Sequence, residues 1–333
     1  VQCSPVELGT MATSTHASAP LILATHLAWQ DGTIKALVTS LSSRVRITVT
    51  DLGSAGPEIA LHGFWTPEKD SAPDGPIARL IAEILDEKID VAEDSEGEGK
   101  EAVRTARANS RRPFRVSVEL PAPLDSGLGV RGGVLAGVAV GVDKHVGRSL
   151  GADTLTEILR DYSAEAELAM LGGTRVIDIE DGDLAAQSPV LSRRAAHWAI
   201  CLVGDPLDAS DVEDKLRQIL SEREIPRAEH LEEMLLATAA GDVERLGALA
   251  GNDLTPAVIS LLPRLRRTMK FGMDAGALTG IVCGAGTAVA FLCRDRDQAL
   301  DIAASVATTG AATWTLAEQE SVSGASVDEA AHG

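Results

Sequence analysis

The chain has 333 residues, long enough for two domains with sizeable cores, and its hydrophobic content of 45% with only 3% aromatic residues describes an interior packed from Ala, Val and Leu. A formal charge of −19 argues against nucleic acid or an anionic membrane as a partner. It is also awkward for a nucleotide, so any phosphate must be met by local backbone N–H groups and a few cations. No apolar run approaches the roughly 18 residues of a membrane span. Cys3, Cys201, Cys283 and Cys293 show no metal-ligand spacing, and no signal-peptide pattern precedes them. The expectation is a soluble cytoplasmic protein with reduced thiols and no bound structural metal.

Residues 1–18 are small, polar and aperiodic, and are expected to form a disordered arm in which Met11, followed by ATSTHASAP, reads as an ordinary start. From Pro20 to about Val49, two apolar runs flank Gln30-Asp31-Gly32, the pattern of a hairpin turn. IARLIAEILDEKI (77–89) has apolar residues at helical spacing on one face. The stretch 91–113, acidic first and basic after, has no apolar face; it reads as a solvated loop or, alternatively, as an interaction segment. FRVSVEL (114–120) alternates as a strand does.

A glycine loop, PLDSGLGVRGG (123–133), follows that strand and opens a small-residue apolar helix. Free N–H groups and the dipole at a helix start favour an anion, and glycine lets a phosphate approach the backbone. The loop lacks the Gly-Lys-Ser/Thr of a Walker loop, and no acidic partner follows a second strand as in a dinucleotide site. On the residues alone, a plain tight turn is as good a reading. Further on, FGMDAGALTGIVCGAGTAVAFL (271–292) runs from a helix end through a strand, a turn at Gly284-Ala285-Gly286 and a second apolar run. Residues 317–333 lack apolar periodicity and are expected to be a disordered acidic tail.

The 271–292 stretch resembles the third conserved motif of the GHMP kinases, which reads approximately AGALxGIVSGSGPTVAFL in the branch that phosphorylates 4-diphosphocytidyl-2-C-methyl-D-erythritol. The loop at 123–133 is similar to the second motif, roughly IPVAAGLGGGSSDAAA. That register matches Pro123, Ser126, Gly127, Leu128 and Gly129, sets Val130 and Arg131 on two glycines, and sets Gly132 and Gly133 on two serines. APLILATHLAWQDGTIKAL (19–37) resembles the first motif through Ala19, Pro20, His26, Leu27 and Ala28. There the catalytic lysine position is Ile22, the asparagine position is Ala24, and Asp31-Gly32 keep half of a substrate-recognising DGYH. Lys35 reads as a displaced cation or a surface lysine. Counting back from Leu171-Gly172-Gly173-Thr174, Glu165 occupies the position of the proposed catalytic aspartate; the plain alternative is an exposed helix glutamate. His197-Trp198 and Ala250-Gly251-Asn252-Asp253-Leu254 resemble a core strand and a helix junction of the family.

The resemblance implies an α/β (α+β) fold of two lobes: a ribosomal protein S5-like N-terminal lobe at 19–185 and a ferredoxin-like C-terminal lobe at 186–316. It implies ATP with Mg²⁺ as cofactor, phosphoryl transfer to a small phosphorylated or cytidylylated alcohol, and a place in non-mevalonate isoprenoid precursor synthesis. In that scheme Glu165 is the base, the loop from Pro123 to Gly133 binds phosphate, and Asp31, Gly32, Gly284 and Gly286 face the substrate. The lysine, the loop hydroxyls and the third-motif Ser and Pro-Thr are replaced, so three readings stand: a divergent kinase of this branch, a kinase for another small alcohol, or an impaired relative that binds a nucleotide, metabolite or protein.

Overall fold

A computed structural model describes residues 14–30, 32–52, 58–63, 75–86, 113–180, 182–204 and 207–328. The N-terminal lobe begins with β1 (Ser14–Gln30), β2 (Thr33–Asp51), β3 (Glu58–Gly63), α1 (Pro76–Asp86) and β4 (Phe114–Leu120). It continues with α2 (Val130–Val146), α3 (Ala152–Arg160), α4 (Ala164–Leu171), β5 (Thr174–Glu180) and β6 (Asp183–Val190). The C-terminal lobe holds β7 (His197–Leu202), α5 (Ala209–Glu222), α6 (Leu231–Ala240), α7 (Val243–Leu249), β8 (Gly251–Asn252), α8 (Thr255–Leu261) and α9 (Leu265–Asp274). It closes with β9 (Thr279–Val282), β10 (Ala288–Cys293), α10 (Arg296–Thr308), β11 (Trp314–Gln319) and β12 (Ser326–Val327).

The hairpin expected around Gln30-Asp31-Gly32 is the spine of the first lobe. Its register runs from Ser14↔Thr50 to Gln30↔Thr33, shifted between Pro20 and Ile22 and between Ala24 and His26. The first of these shifts suits Pro20, which cannot donate to the ladder. One end of β2 pairs with β4 and the other with β5, so the strand carries two branches of the sheet. The expected helix at 77–89 is α1, with Ile77, Leu80, Ile81 and Ile84 buried on one face. The charged stretch 91–112 and residues 1–13 lie outside the described residues.

Helix α2 lies across β1 and β2, and its sequence explains how closely. A Cβ on Gly133 would come within 3.1 Å of Val45, and one on Gly137 within 2.8 Å of Ile47. The small residues thus bring the helix backbone against the sheet, and nearly the whole helix is buried. The second lobe is a four-stranded antiparallel sheet in the order β11-β7-β10-β9. Together with α5 and α10 this is the βαββαβ arrangement of ferredoxin-like folds. Its core includes Trp198, Phe291 and the thiols of Cys201, Cys283 and Cys293, all buried and unpaired by disulfide.

Three sequence expectations about extent need correction. The arm placed at 1–18 already contributes Ser14–Ser18 to β1, opposite Thr50–Arg46. The acidic tail from 317 is ordered through Asp328: β11 extends to Gln319 in the second sheet, and β12 pairs with Ala17 and Ser18 of β1 in the first. The physical reason is polar. Glu318 accepts from the Ser43 amide and from both the Ser42 and Ser43 hydroxyls, and the Trp198 indole N–H donates to Glu320 at 3.1 Å. The lobe boundary expected at 185/186 falls inside β6, which stays paired with β5 through Val190.

Candidate active site

Four chain segments far apart in sequence meet at one cleft. The amide of Ile22 on β1 donates to the Leu128 carbonyl at 2.9 Å, which ties the first segment to the glycine loop. The loop in turn rests on the 284–286 turn: a Cβ on Gly127 (φ +82°) would overlap the Cys283 carbonyl oxygen, and one on Gly286 would overlap Ser126 and Gly127. The Ala288 amide closes this junction by donating to the Ser126 carbonyl at 3.2 Å. Glycine is required at Gly127 on two counts, its left-handed backbone and the absence of room. The fourth segment is the start of α4, where Gly132 packs against the backbone of Glu165.

The resulting cleft, about 670 Å³, is bounded by Asp125, Gly127, Gly129, Arg131 and Glu165 on one side and by Asp208 with Gly284 and Gly286 on the other. Helix α2 has Gly129 as its N-cap, with no side chain capping it, and Gly129 lies at the cleft, where a helix start favours an anion. Arg131 stands in that first turn. Its Nη2 donates to Asp125 Oδ1 at 2.9 Å and its Nε to the same oxygen at 3.3 Å. A smaller, almost wholly apolar cavity of about 210 Å³ opens beside it, lined by Ile77, Leu120, Leu124, Val134 and Leu135, and shares Arg131 and Glu165 with the cleft.

Glu165 is exposed to the cleft but surrounded by protein beyond it. The surrounding mass, more than its immediate solvent contact, governs its ionisation: desolvation pushes its carboxyl above the ordinary value, Arg131 opposes the rise, and Asp125 adds to it. A carboxyl shifted in that direction is a stronger base than an ordinary glutamate, as a proton acceptor should be. Across the cleft, Asp208 caps α5 by accepting from the Ser210 hydroxyl and amide, and those bonds hold its carboxyl below the usual range.

The remaining expected site residues divide by location. Ile22 is buried beneath the loop, with Gly129 at van der Waals distance, so the lysine position faces the site's floor with a hydrocarbon. Leu128 and Ser126 are buried, Pro123 turns the loop by accepting from the Ser126 amide, and Gly132 and Gly133 serve helix packing rather than the cleft. Gly32 sits at the hairpin tip with φ +94°, and Asp31 lies outside the described residues. The hairpin end borders a different cavity, with Trp29, Lys35, Arg227 and Asp253, so Lys35 is not a displaced cation of the cleft; its contact is Asp178 at 3.9 Å. Cys283, in the third-motif serine position, is buried, and burial pushes its thiol pKa well up.

Asn252, expected only as part of a helix junction, also holds the site together. Its side-chain amide donates to the Val282 and Gly284 carbonyls at 2.9 and 2.8 Å, while β8 pairs with β1 beside Leu27. It therefore holds the 284–286 turn against the strand that carries Ile22. The segment AGNDL carried the signal, since a buried asparagine between two helices needs partners for its amide.

In fold, the molecule is similar to a crystal structure of 4-(cytidine 5'-diphospho)-2C-methyl-D-erythritol kinase, with TM-score 0.65 and 17% identity over 92% of this chain and 99% of that one. It is also similar to the mevalonate kinase of L. major in complex with R-mevalonate, with TM-score 0.64 and 14% identity over 95% of this chain and 97% of that one. The family model "GHMP kinases C terminal" matches residues 234–312. In sequence, the 4-diphosphocytidyl-2-C-methyl-D-erythritol kinase of Nocardia farcinica is 35% identical over 229 residues, 68% of this chain and 74% of that protein. The protein of the same name from Mycolicibacterium smegmatis is 36% identical over 175 residues, about half of either chain (52% and 53%). The chain belongs to the GHMP kinases, in the 4-diphosphocytidyl-2-C-methyl-D-erythritol kinase family. Among the described residues, no helix is long and apolar enough to cross a membrane.

Proposed function

We propose that this chain transfers the γ-phosphate of ATP to the hydroxyl of 4-diphosphocytidyl-2-C-methyl-D-erythritol. The observation that carries the reading is the convergence of the glycine loop, Glu165 and the 284–286 turn on one cleft, bounded by the uncapped start of a 17-residue helix. Phosphoryl transfer asks little covalent chemistry of a protein; it asks for positioning and for neutralisation of the charge on the transferred group. The backbone donors at Gly129 and the first turn of α2 meet the phosphates, and the apolar cavity beside them accepts the flat base of the nucleotide. Glu165 orients the attacking hydroxyl and accepts its proton.

Magnesium fits this donor set as an ion carried by the nucleotide. Among the described residues no group of three or more His, Cys, Asp or Glu side chains forms a cage for it, and Mg²⁺ is usually held by one or two carboxylates with substrate phosphates. Asp125 and Asp208 are the cleft carboxylates that would hold it, and when bound it neutralises phosphate charge.

The test is ADP release by the purified chain with ATP, Mg²⁺ and 4-diphosphocytidyl-2-C-methyl-D-erythritol. Turnover that requires the alcohol is expected, and Glu165→Gln is expected to lower kcat about 10²- to 10⁴-fold with little change in nucleotide affinity. The buried hydrocarbon of Ile22 at the lysine position favours a second reading, a nucleotide-binding relative without turnover. Saturable nucleotide binding by calorimetry with no alcohol-dependent ADP would select that second reading over the first.

A further inference from the structure

The turn at 284–286 keeps its glycines and has lost its hydroxyls. In the register of the third motif Ala285 stands where a serine would, so its side chain offers a phosphate nothing. Its backbone N–H is still a donor, and no acceptor among the described residues takes it. The Gly286 amide, by contrast, is spent on the Cys283 carbonyl at 2.9 Å.

Asn252 fixes where the Ala285 N–H points. Its Nδ2 donates to the Gly284 carbonyl at 2.8 Å and to the Val282 carbonyl at 2.9 Å, and its Oδ1 accepts from the Leu254 amide at 2.8 Å. A trans peptide is planar, with its C=O and N–H pointing in opposite directions. The Gly284 carbonyl is drawn to the buried Asn252 side chain, so the Ala285 N–H of the same peptide leaves by the other side of the turn. Gly284, Ala285 and Gly286 all line the cleft. Gly284 has a left-handed backbone (φ +51°), the kind of turn geometry that presents N–H groups to an anion.

Asn252 is itself held in place. β8 pairs it with Leu27, the Asp253 amide donates to the Leu27 carbonyl at 3.0 Å, and the Asp253 carboxylate accepts from the amides of Trp29 and Ala228. Both polar atoms of the Asn252 side chain are engaged, so its amide cannot swing without breaking bonds that are buried.

We propose that the Ala285 N–H is a phosphate donor of this cleft and that Asn252 is the positioning residue that aims it. The ligand group is a phosphate oxygen, of the nucleotide or of the diphosphate on the alcohol. The assignment rests on the reading of the cleft as the place of phosphoryl transfer. A donor fixed before the ligand arrives needs no reorganisation as charge builds on the phosphate, so a turn stripped of hydroxyls still contributes.

The experiment reads the Ala285 amide directly. A full chain carrying isotope-labelled glycine carbonyl carbon and alanine nitrogen shows the Gly284–Ala285 amide by NMR, assigned by its loss in Ala285→Gly. It is titrated separately with a non-hydrolysable ATP analogue with Mg²⁺ and with 4-diphosphocytidyl-2-C-methyl-D-erythritol, while calorimetry follows binding. A downfield shift of that amide is expected in at least one arm, and the arm identifies the phosphate. Asn252→Asp keeps the shape and the acceptor for Leu254 but turns the donor atom into an acceptor. It is expected to abolish the shift and to lower kcat/KM about 10²-fold, in a chain shown by thermal melts to be folded. Asn252→Ala, which removes the donor without burying a charge, is the second variant, with the same expectation. A lower melting temperature with the amide shift and kcat/KM unchanged in both variants overturns the positioning role. An Ala285 amide that stays still in both arms while calorimetry records binding overturns the proposal alone. No binding in either arm overturns the reading of the cleft and the proposal with it.

Discussion

The cleft and the C-terminal strap, residues 314–328, both join distant parts of the chain, by opposite means. At the cleft, backbone lies on backbone, Gly127 against Cys283 and Gly286 against Ser126, with one buried side chain, the Asn252 amide, bridging two carbonyls. Charges there line open space, where a ligand can reach them. The strap crosses from the second sheet to the first on buried or half-buried polar side chains, with Glu318, Glu320 and Arg44 each satisfied by partners remote in sequence. Close backbone contact leaves room and free donors for a substrate; buried polar contact spends its donors on the fold.

The largest expected effect comes from filling the closest backbone contact. Gly127→Ala places a Cβ on the Cys283 carbonyl at a left-handed φ, and neither backbone can yield cheaply. A loss of about 3 kcal/mol or more in urea denaturation is expected, together with loss of nucleotide binding. Gly147→Ala is the control, because Gly147 has φ +73° but open space around its Cα. It should cost only about 1 kcal/mol and leave binding intact. Equal losses for the two variants would assign the Gly127 effect to backbone conformation and remove the tight junction from the account.

An intermediate effect is expected where the strap is clamped. Arg44 donates to the Ser323 and Gly324 carbonyls at 3.0 and 2.7 Å and to the Ser18 hydroxyl and carbonyl at 2.9 and 3.0 Å. Arg44→Ala leaves those acceptors without their donor and should cost about 1–2 kcal/mol. Hydrogen exchange should rise between residues 317 and 328 while nucleotide affinity stays as it was. A fall in affinity with no local rise in exchange would mean that strap and cleft are not separable.

The contrast also explains which parts of the molecule were legible in the sequence. Apolar period gave the long hairpin, α1 and β4, because burial writes itself as repeating hydrophobic residues. Glycine spacing marked the loop at 123–133 and the turn at 284–286, because a backbone contact excludes side chains from a fixed position. Glu165 came within reach only through its distance from Leu171-Gly172-Gly173-Thr174. The strap was misread as disordered for a physical reason: Glu318 and Glu320 look solvated in sequence, and their partners Ser42, Ser43 and Trp198 lie more than a hundred residues away. The Asp125–Arg131 pair was half visible: the arginine stood out in the glycine loop, and the carboxylate it donates to did not, although the two are six residues apart.

The smallest expected effect tests whether the strap's buried carboxylate is a cost that the fold carries. Glu320 is nearly inaccessible, and burial pushes its carboxyl above the ordinary value of 4.5, with the Trp198 and Ala196 bonds opposing the rise. A raised pKa in the folded chain means that folding favours the protonated form. Stability linked to this group is therefore full below the ordinary glutamate value and is lost as pH rises through the folded one. Glu320→Gln keeps a carbonyl to accept the Trp198 N–H and removes the charge at every pH. The variant should match the unaltered chain in acid and gain on it as pH climbs, by on the order of 1 kcal/mol, about the worth of one hydrogen bond. Denaturation midpoints that run parallel from pH 4 to 8, as the pH values of this test, would show that the carboxylate is as well held charged as neutral, and that the strap tolerates burial without penalty.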